Sequence, residues 1–486
     1  MSTFFAAWNR CTPATRQALL AVLATTLNAW LGLILGLASA WLYARKEPAA
    51  LDSVLAQHRA LAFFSPVLLA LAYLGQGVSM PSDDLMRHLT AWQIGLDYRA
   101  QYPWSDIPQA NLWLGFDYLL GVLQQVGVSK AWLLQWVPGL SLLLQSVVLY
   151  LALDRTLPAR KHPASLFLLT GALGLLLLTP RSLLGRPEMF LLILGAAAWL
   201  CRTRAQAALW ALGYLALVPA YWLGWVYAPM ALLLAPSVLS FRQRLSLATV
   251  LGLLHLAFWQ TYTGDYLGLL LWLKGTLSVP AGENDSLISS LGLWPAWVFA
   301  ASLSLALSTL NRRRAWQALP VLLLLVWFVL PNQIRYVAAL GFVALPWLYR
   351  TLAVTAQVRQ LQVSPLLVLL ALGASAALTV KPTPVPAPFA LKASARVYSE
   401  SPYATVFHGQ PGIAVEPSFA LGATRAEWKG LKQAGVLQCD RLEAGQFTHV
   451  IEQSLVKPLE CAELTQVYGP WRLWTLRSAP LTGDNP

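Results

Sequence analysis

Long apolar runs recur along the first 380 residues, and they constrain the fold more than any other feature of the sequence. Each run has about 17–25 residues, enough for a helix to cross a hydrocarbon layer of roughly 30 Å. Hydrophobic residues make up 57% of the chain and charged residues only 11%, whereas a soluble domain carries about 25% charged residues. The pattern predicts a polytopic α-helical membrane protein with about 11–12 transmembrane helices.

The distribution of positive charge predicts how the chain crosses the membrane. A net charge of +13 would also suit a nucleic-acid-binding protein, but Lys and Arg gather in short loops between apolar runs, where they set orientation. We therefore expect no nucleic-acid partner. The basic clusters predicted to be cytoplasmic are Arg45–Arg59, Arg155–Lys161, Arg202–Arg204, Arg242–Arg244, Arg312–Arg314 and Arg350–Arg359.

The apolar runs between these clusters then alternate in direction. They predict spans near residues 60–77, 131–153, 164–179, 188–200, 206–221, 224–240, 246–262, 291–310, 316–331, 335–349 and 364–380. The segments predicted on the periplasmic side are Met80–Lys130, Pro180–Pro187, a turn near Trp222, Thr263–Ser290, Pro331–Gln333 and the chain after Lys381. A further run, Gln17–Tyr43, is too long for a signal-peptide core, and its orientation stays open. The expected location is the bacterial inner membrane, with many spans.

The tail reads as a folded domain outside the membrane. Every second residue of Lys381–Pro388 is proline, which predicts a stiff spacer. The spacer separates a membrane part, 1–380, from an α/β domain, 389–486. Within that domain, strands are predicted at 403–408, 412–416, 448–453 and 464–476, the last with a turn at Gly469-Pro470, and a helix at 423–434. Cys439 and Cys461 both lie in the domain, either as two free thiols or as a pair. Because the periplasm is oxidising, we predict a disulfide.

Two adjacent carboxylates, Asp83 and Asp84, follow directly after an apolar run in Met80–Lys130. Such a pair at a membrane surface suits a general base, a divalent-metal ligand, or both. The alternative is structural: Ser82 or either aspartate would cap a helix through Leu85–Tyr98 and complement its dipole.

The rest of that loop follows a recognisable order. An amphipathic helix leads to a polar turn, Tyr102–Asp106, then to a second apolar helix, Pro108–Val126, which ends at Gly127 before a long membrane helix. This order resembles the first periplasmic loop of the GT-C glycosyltransferases, which include bacterial aminoarabinose lipid A transferases and protein O-mannosyltransferases. The resemblance covers the architecture of nearly the whole chain and implies a GT-C-like catalytic domain at 1–380.

Later segments fit the same resemblance. Arg186 and Glu188 form a basic and acidic pair in the short second loop, and Arg335-Tyr336 is similar to the family's late Arg-Tyr segment, where the basic residue meets the lipid phosphate. A local ion pair and a helix-end arginine reaching the interface are the structural alternatives. The Gly-punctuated loop Thr263–Ser290 predicts a mobile lid or a passive connection, with Lys274 as a second phosphate contact. Residues expected to contact substrate are Arg87, His88, Glu188 and Tyr336.

The chemistry that the resemblance implies is glycosyl transfer from a polyprenyl-phosphate sugar. Asp83 or Asp84 would activate an acceptor hydroxyl in one inverting step, with Asp83 favoured because it lies closer to the membrane helix. Arg335, Lys274 and Arg186 would stabilise the leaving lipid phosphate, and Mg²⁺ or Mn²⁺ held by the two aspartates is an optional cofactor. The acceptor would be a cell-surface glycan, a lipid or a protein such as a pilin. Rival functions are a transporter or flippase of lipid-linked glycans, a glycan ligase, and an assembly protein.

Overall fold

The structure is a computed structural model. It describes residues 55–75, 83–98, 110–156, 164–182, 185–226, 238–277, 345–353, 395–399, 430–433, 436–453, 459–469 and 471–477, and the single residues 232, 235, 389 and 391.

Helices dominate the described part of the first 380 residues, and they form where apolar runs predict them. Their bounds are α1 (Arg59–Gly75), α2 (Asp83–Thr90), α3 (Leu114–Gln125), α4 (Lys130–Thr156), α5 (Ala164–Ser182), α6 (Glu188–Ala197), α7 (Arg204–Leu217), α8 (Phe241–Thr263) and α9 (Tyr266–Leu277). Among the described residues, α4 and α8 are long and apolar enough to cross a membrane by length and composition. The chain is therefore helix-rich, with two candidate membrane spans.

Several predicted spans lie partly or wholly beyond the described residues. Those at 291–310, 316–331 and 364–380 fall outside them, and the span at 335–349 is described only from 345, where residues 345–353 are helical. The predicted helix 224–240 is described at its two ends. Gly224–Val226 forms a 3-10 turn and residues 238–240 are not helical, so both ends of that prediction are wrong.

Local capping signals fix where two of these helices begin. Thr203 caps α7 and Ser240 caps α8, each accepting a hydrogen bond from the backbone N–H three residues on. In both cases the side-chain oxygen of the glutamine at that third position, Gln206 or Gln243, accepts from the backbone N–H of the cap residue, which completes a capping box. The helix starts therefore follow from four-residue motifs in the sequence.

Helix α4 lies at the centre of the helical core and packs against α1, α5 and α6. Phe63 of α1 contacts the rings of Tyr150 and Phe167, with centroids 5.2 and 5.9 Å away. Gly171 lets this ring approach α5, because a Cβ there would overlap it. Close packing of side chains between α1, α4 and α5 holds this part of the core together.

The basic clusters gather at one end of the helical core. Arg59 pairs with Asp154, and the Arg155 guanidinium donates to the Leu200 carbonyl at 3.3 Å. Arg202 donates to the Arg155 carbonyl at 3.5 Å. Three of the predicted cytoplasmic clusters are thus neighbours in space, and we call this the arginine end (Arg59, Arg155, Arg202).

The tail contains a four-stranded sheet in the order β1-β4-β6-β5. Strand β1 is parallel to β4, and the other neighbours are antiparallel. The bounds of its strands and of the adjoining hairpin and helix are β1 (Val397–Ser399), β2 (Lys432–Gln433), β3 (Val436–Leu437), α10 (Cys439–Ala444), β4 (His449–Gln453), β5 (Ala462–Tyr468) and β6 (Trp471–Leu476). Both sheet faces are covered, since Val450 and Trp474 belong to one apolar cluster while Ile451 and Leu473 belong to another.

The tail predictions meet the structure unevenly. The strands near 448–453 and 464–476 are present with a turn at Gly469, whose φ is +53°. The predicted helix 423–434 is wrong at its end, because Lys432–Gln433 pairs as a strand with Val436–Leu437. The predicted strands 403–408 and 412–416 lie outside the described residues. Cys439 and Cys461 form the predicted disulfide, with Cα atoms 5.8 Å apart.

Candidate active site

Helix α2 begins at the acidic pair, with Asp83 and Asp84 as its first two residues. The structure describes the backbone of both aspartates, and it places them inside the first turn, where a carboxylate complements the helix dipole. This position agrees with either that structural role or a chemical role. Past the pair, Leu85, Met86 and Leu89 are buried against α3 and α4. The first turn of α2 is therefore anchored on a rigid apolar base.

Helix α2 is shorter than the prediction Leu85–Tyr98. It ends at Thr90 and continues as a 3-10 turn, Ala91–Ile94. Gly95 and Leu96 then both have positive φ, +65° and +61°. Two successive left-handed residues cannot continue a right-handed helix, and this reverses the chain toward α3.

A buried carboxylate, Asp117 of α3, joins the two halves of this loop. Its Oδ1 lies 2.6 Å from His88 Nδ1, and its Oδ2 accepts from the Tyr98 hydroxyl at 2.7 Å and from Asn111 Nδ2 at 2.8 Å. Asp117 is 0% exposed and His88 1%. We call these four residues the Asp117 cluster (His88, Tyr98, Asn111, Asp117).

Asn111 also explains why α3 starts later than the predicted Pro108. Its side-chain oxygen accepts from the Trp113 backbone N–H at 2.8 Å, a local turn that competes with helix before Leu114. The helix ends at Gln125, close to the predicted end, and Gly127 has a φ of +97°.

Arg87 lies beside the Asp117 cluster. Its guanidinium carbon is 4.5 Å from the Trp113 ring centroid and 5.5 Å from that of Tyr98, and the side chain is buried. His88 meets Trp113 and Phe116 edge to face. The predicted substrate residues Arg87 and His88 thus lie in an aromatic environment, on the same helix as the acidic pair.

The second predicted loop contacts the same helix. Gly185 lies against Leu85 so closely that a Cβ there would be 2.8 Å from the Leu85 Cβ. Arg186 follows, and Glu188 begins α6 as a buried residue. Phe190 meets Phe116 of α3 with centroids 5.7 Å apart. Arg186 and Glu188 therefore lie next to the helix that begins with Asp83 and Asp84.

The prediction of a loop over Thr263–Ser290 is wrong for the first part of that range. Residues 266–277 form helix α9, so Lys274 lies on a helix, and the structure describes only its backbone. Two glycines of this predicted loop have helical roles. Gly264 ends α8 with a φ of +74°, and the Gly268 N–H donates to Asp265 at 2.8 Å in the first turn of α9.

Helix α9 and the Trp222 turn complete this end of the protein. Trp272 of α9 packs on the cluster of Ala91 and Tyr98, and its ring centroid lies 6.4 Å from that of Trp222. The Trp222 N–H donates to the Leu112 carbonyl at 3.3 Å. Four segments predicted to be periplasmic therefore meet, and we call this the loop end (Leu85, Gly185, Trp222, Trp272).

A buried histidine of α8 holds the Trp222 turn in place. His255 is 0% exposed, and its Nε2 lies 2.9 Å from the Trp222 carbonyl while its Nδ1 lies 3.1 Å from the Tyr214 hydroxyl. A carbonyl only accepts, so Nε2 donates and Nδ1 accepts. The Tyr266 hydroxyl donates to the same carbonyl at 3.2 Å. Both ring nitrogens are used, which makes this histidine a structural link between α7, α8 and α9.

The remaining predicted site residues lie elsewhere. Arg335 and Tyr336 fall outside the described residues. Within the described ranges, His, Cys, Asp and Glu side chains form no group of three or more that could hold a metal ion. The sequence reasoning missed Asp117, Asn111 and Tyr98. The available signal was the single carboxylate within the apolar run 108–126.

Comparison with known proteins places this geometry in a known fold. No protein-family model matches the sequence, and no curated protein matches it. Among solved structures, the Archaeoglobus fulgidus oligosaccharyltransferase in its apo form is similar at 10% identity, covering 84% of this chain and 70% of that chain with a TM-score of 0.50.

Two further structures from Archaeoglobus fulgidus are similar at 10% identity. One is the oligosaccharyltransferase AglB with an inhibitory peptide and a dolichol-phosphate, covering 82% of this chain and 70% of that chain with a TM-score of 0.47. The other is the oligosaccharyltransferase with Zn and sulfate, covering 77% and 64% with a TM-score of 0.44. The apo enzyme shows a likeness in fold, and this likeness agrees with the architecture expected from the sequence resemblance.

Proposed function

We propose that this protein is a membrane glycosyltransferase. It moves a sugar from a polyprenyl-phosphate donor to an acceptor hydroxyl at the periplasmic face of the bacterial inner membrane. One observation carries the proposal: the helix that begins with Asp83 and Asp84 is anchored at the loop end, where Arg186 and Glu188 also lie. The fold likeness to an oligosaccharyltransferase supports it.

The surface of the helical core supports a membrane location with many spans. Large apolar side chains point outward on three helices, including Leu209 and Leu212 of α7, Leu253 of α8 and Leu267 of α9, which are 60–70% exposed. Leucines this exposed on three neighbouring helices are unusual for a soluble protein and ordinary on a lipid-facing surface. The separation of the arginine end from the loop end supports a cytoplasmic face and a periplasmic face. The Cys439–Cys461 disulfide supports an oxidising compartment for the tail.

The proposed reaction is a single inverting displacement. The acceptor oxygen forms a bond to the anomeric carbon as the bond from that carbon to the lipid phosphate breaks. The acceptor proton passes to the Asp83 carboxylate, or to that of Asp84, and the polyprenyl phosphate leaves as an anion. Arg335, whose planar guanidinium suits phosphate, stabilises that anion with Lys274 and Arg186.

A divalent cation fits the donor set of this site. Asp83 and Asp84 supply the oxygen ligands that Mg²⁺ and Mn²⁺ prefer, and these two residues would hold the ion. When bound, it would add positive charge near the departing phosphate. Loss of transfer after EDTA treatment, restored by Mg²⁺ or Mn²⁺, is the expected result for a metal-dependent site.

The test is transfer by the purified full chain from a radiolabelled polyprenyl-phosphate sugar, with acceptor glycans, lipids and pilin-like proteins offered in parallel. Asp83→Asn and Asp84→Asn separate the structural role from the chemical role, because each keeps the side-chain shape and removes only a helix-dipole interaction of about 0.3–1 kcal/mol. If one carboxylate is the base, its asparagine variant expresses normally and loses about 10²–10⁴-fold in rate. Arg335→Lys should weaken donor use less than Arg335→Ala.

Asp440→Asn provides the matched control, because this carboxylate is exposed in the tail helix α10. Its transfer rate should equal that of the unmodified protein. Full transfer by both Asp83→Asn and Asp84→Asn would make the acidic pair structural. Movement of labelled donor across sealed vesicles without transfer to any acceptor would instead favour a flippase.

A further inference from the structure

The Asp117 cluster holds an unusual amount of polar bonding for an apolar setting. The Tyr98 hydroxyl and the Asn111 amide donate to one carboxylate that is 0% exposed, and His88 Nδ1 lies 2.6 Å from its other oxygen. Burying a carboxylate is costly, and its hydrogen bonds must offset that cost. Leu85, Leu89, Phe116 and Leu120 already pack α2 on α3 without it. Packing between the two helices therefore does not explain why residue 117 is a carboxylate.

The contact fixes the protonation pattern of the His88 ring. An ionised carboxylate has no hydrogen to donate and only accepts, so the 2.6 Å contact with Asp117 Oδ1 places the hydrogen on His88 Nδ1. In the neutral ring, Nε2 then holds a free lone pair, and the ring orientation is set by the 2.6 Å contact. This is the arrangement by which a buried carboxylate orients a histidine and selects its tautomer.

The position of His88 connects this arrangement to the acidic pair. His88 is four residues after Asp84 in α2, so both residues lie on one face of the helix. The Cα–Cβ bond of His88 tilts toward the helix N-terminus, which is the end that carries Asp83 and Asp84. His88 therefore lies one helical turn after the residues proposed to handle the acceptor proton.

We propose that Asp117 is a positioning residue for glycosyl transfer: it holds His88 in the Nδ1–H tautomer, so that the Nε2 lone pair serves the site of Asp83 and Asp84. This inference rests on the proposed function. Tyr98 and Asn111 hold Asp117 itself, because both donate to its second carboxylate oxygen, Oδ2.

Asp117→Asn tests the inference with almost no change of shape. An amide NH₂ in place of Oδ1 must face an acceptor, so His88 would move its hydrogen to Nε2 and lose the lone pair there. The expected result is a fall in kcat of about 10²–10⁴-fold with a donor KM within about threefold of the unmodified value. Nitrogen-15 NMR of labelled histidine reads the tautomer directly. Tyr98→Phe keeps the contact between His88 and Asp117 and removes only the Tyr98 hydroxyl, which lies 3.3 Å from His88 Nδ1, so it should cost less than about tenfold in kcat.

A double variant separates positioning from a general structural role. If Asp117 acts through His88, Asp117→Asn should add little to the loss already present in His88→Ala. Equal losses of kcat in both backgrounds, or an unchanged tautomer in Asp117→Asn, would overturn the inference. If the unmodified protein transfers no sugar while NMR still reports an Nδ1–H His88, the proposed function fails and the positioning role falls with it. Transfer by unmodified protein with full kcat in Asp117→Asn overturns the positioning role alone.

Discussion

Gly185 offers a sharp test of how the second loop meets the acidic helix. Its φ is +65°, and an added Cβ would lie 2.8 Å from both Cβ and Cδ2 of Leu85. Replacing it with alanine costs about 1–2 kcal/mol for the left-handed backbone. Displacing Leu85 in a packed interface costs about 1–3 kcal/mol more. Together these predict a loss of roughly 2–5 kcal/mol for Gly185→Ala.

The measurement is the thermal midpoint of the full chain in detergent micelles, alongside sugar transfer. We expect a lower midpoint and reduced transfer, because α2 must move away from the segment that carries Arg186 and Glu188. Adding Leu85→Ala should recover only part of the loss, since it removes the Cδ2 contact and leaves the Cβ contact.

Gly252→Ala is the matched control. Gly252 lies inside helix α8, and an added Cβ would meet nothing within 4 Å. Alanine is favoured over glycine inside a helix by about 0.5–1 kcal/mol, so this variant should be slightly more stable than the unmodified protein. An unchanged midpoint in Gly185→Ala, with Gly252→Ala behaving as expected, would refute the contact between Gly185 and Leu85.

Three further predictions concern topology and the tail. A reporter fused after Lys381 should be periplasmic and one inserted at Arg312–Arg314 cytoplasmic; cytoplasmic labelling of the tail would contradict the threading. Replacing Cys439 and Cys461 with serine should lower the free energy of unfolding of the tail by about 3 kcal/mol. Urea unfolding monitored by hydrogen exchange of β4–β6 measures this change, and Cys201→Ser should leave it unchanged. Burial lowers the pKa of His449 below its usual 6.5. The contribution of neutral His449 to the free energy of unfolding is therefore complete above pH 6.5, and it is lost as the pH falls through the folded pKa. Protection of β4 in the full chain, corrected for intrinsic exchange, should therefore decrease below pH 6.5, and His449→Gln should flatten that dependence; equal slopes in both proteins would count against it.

The sequence predicted helix positions well because their determinants are local. The length of an apolar run and a four-residue capping motif decide where α4, α7 and α8 lie, and both can be read directly from the residues. The meeting of the loops at 80–130, 180–187 and 222 was also predictable in outline. Alternating spans place every second loop on the same side, so the chain path alone brings these segments to one end.

The same reasoning failed where one residue type serves two purposes. The glycines of Thr263–Ser290 predict a loop, either a mobile lid or a passive connection, but Gly264 ends one helix and Gly268 lies in the first turn of the next. The helix predicted over Leu85–Tyr98 was too long, because its apolar pattern continues past Thr90 while the backbone reverses at Gly95 and Leu96. In both cases the backbone dihedral angle at one or two residues decides the outcome, and periodicity carries no information about it.

Polar residues inside apolar helices are the signal that would have located the missing contacts. A polar side chain in such a helix costs free energy unless another element supplies its hydrogen bond. Asp117 meets His88 29 positions away, Asp154 pairs with Arg59 across 95 positions, and His255 reaches the Trp222 carbonyl across 33. The partner cannot be read from the sequence, since each separation depends on how the helices pack. The need for a partner can be read from the sequence. In this chain it indicates the points at which α3 is bonded to α2, α4 is bonded to α1, and α8 is bonded to the Trp222 turn.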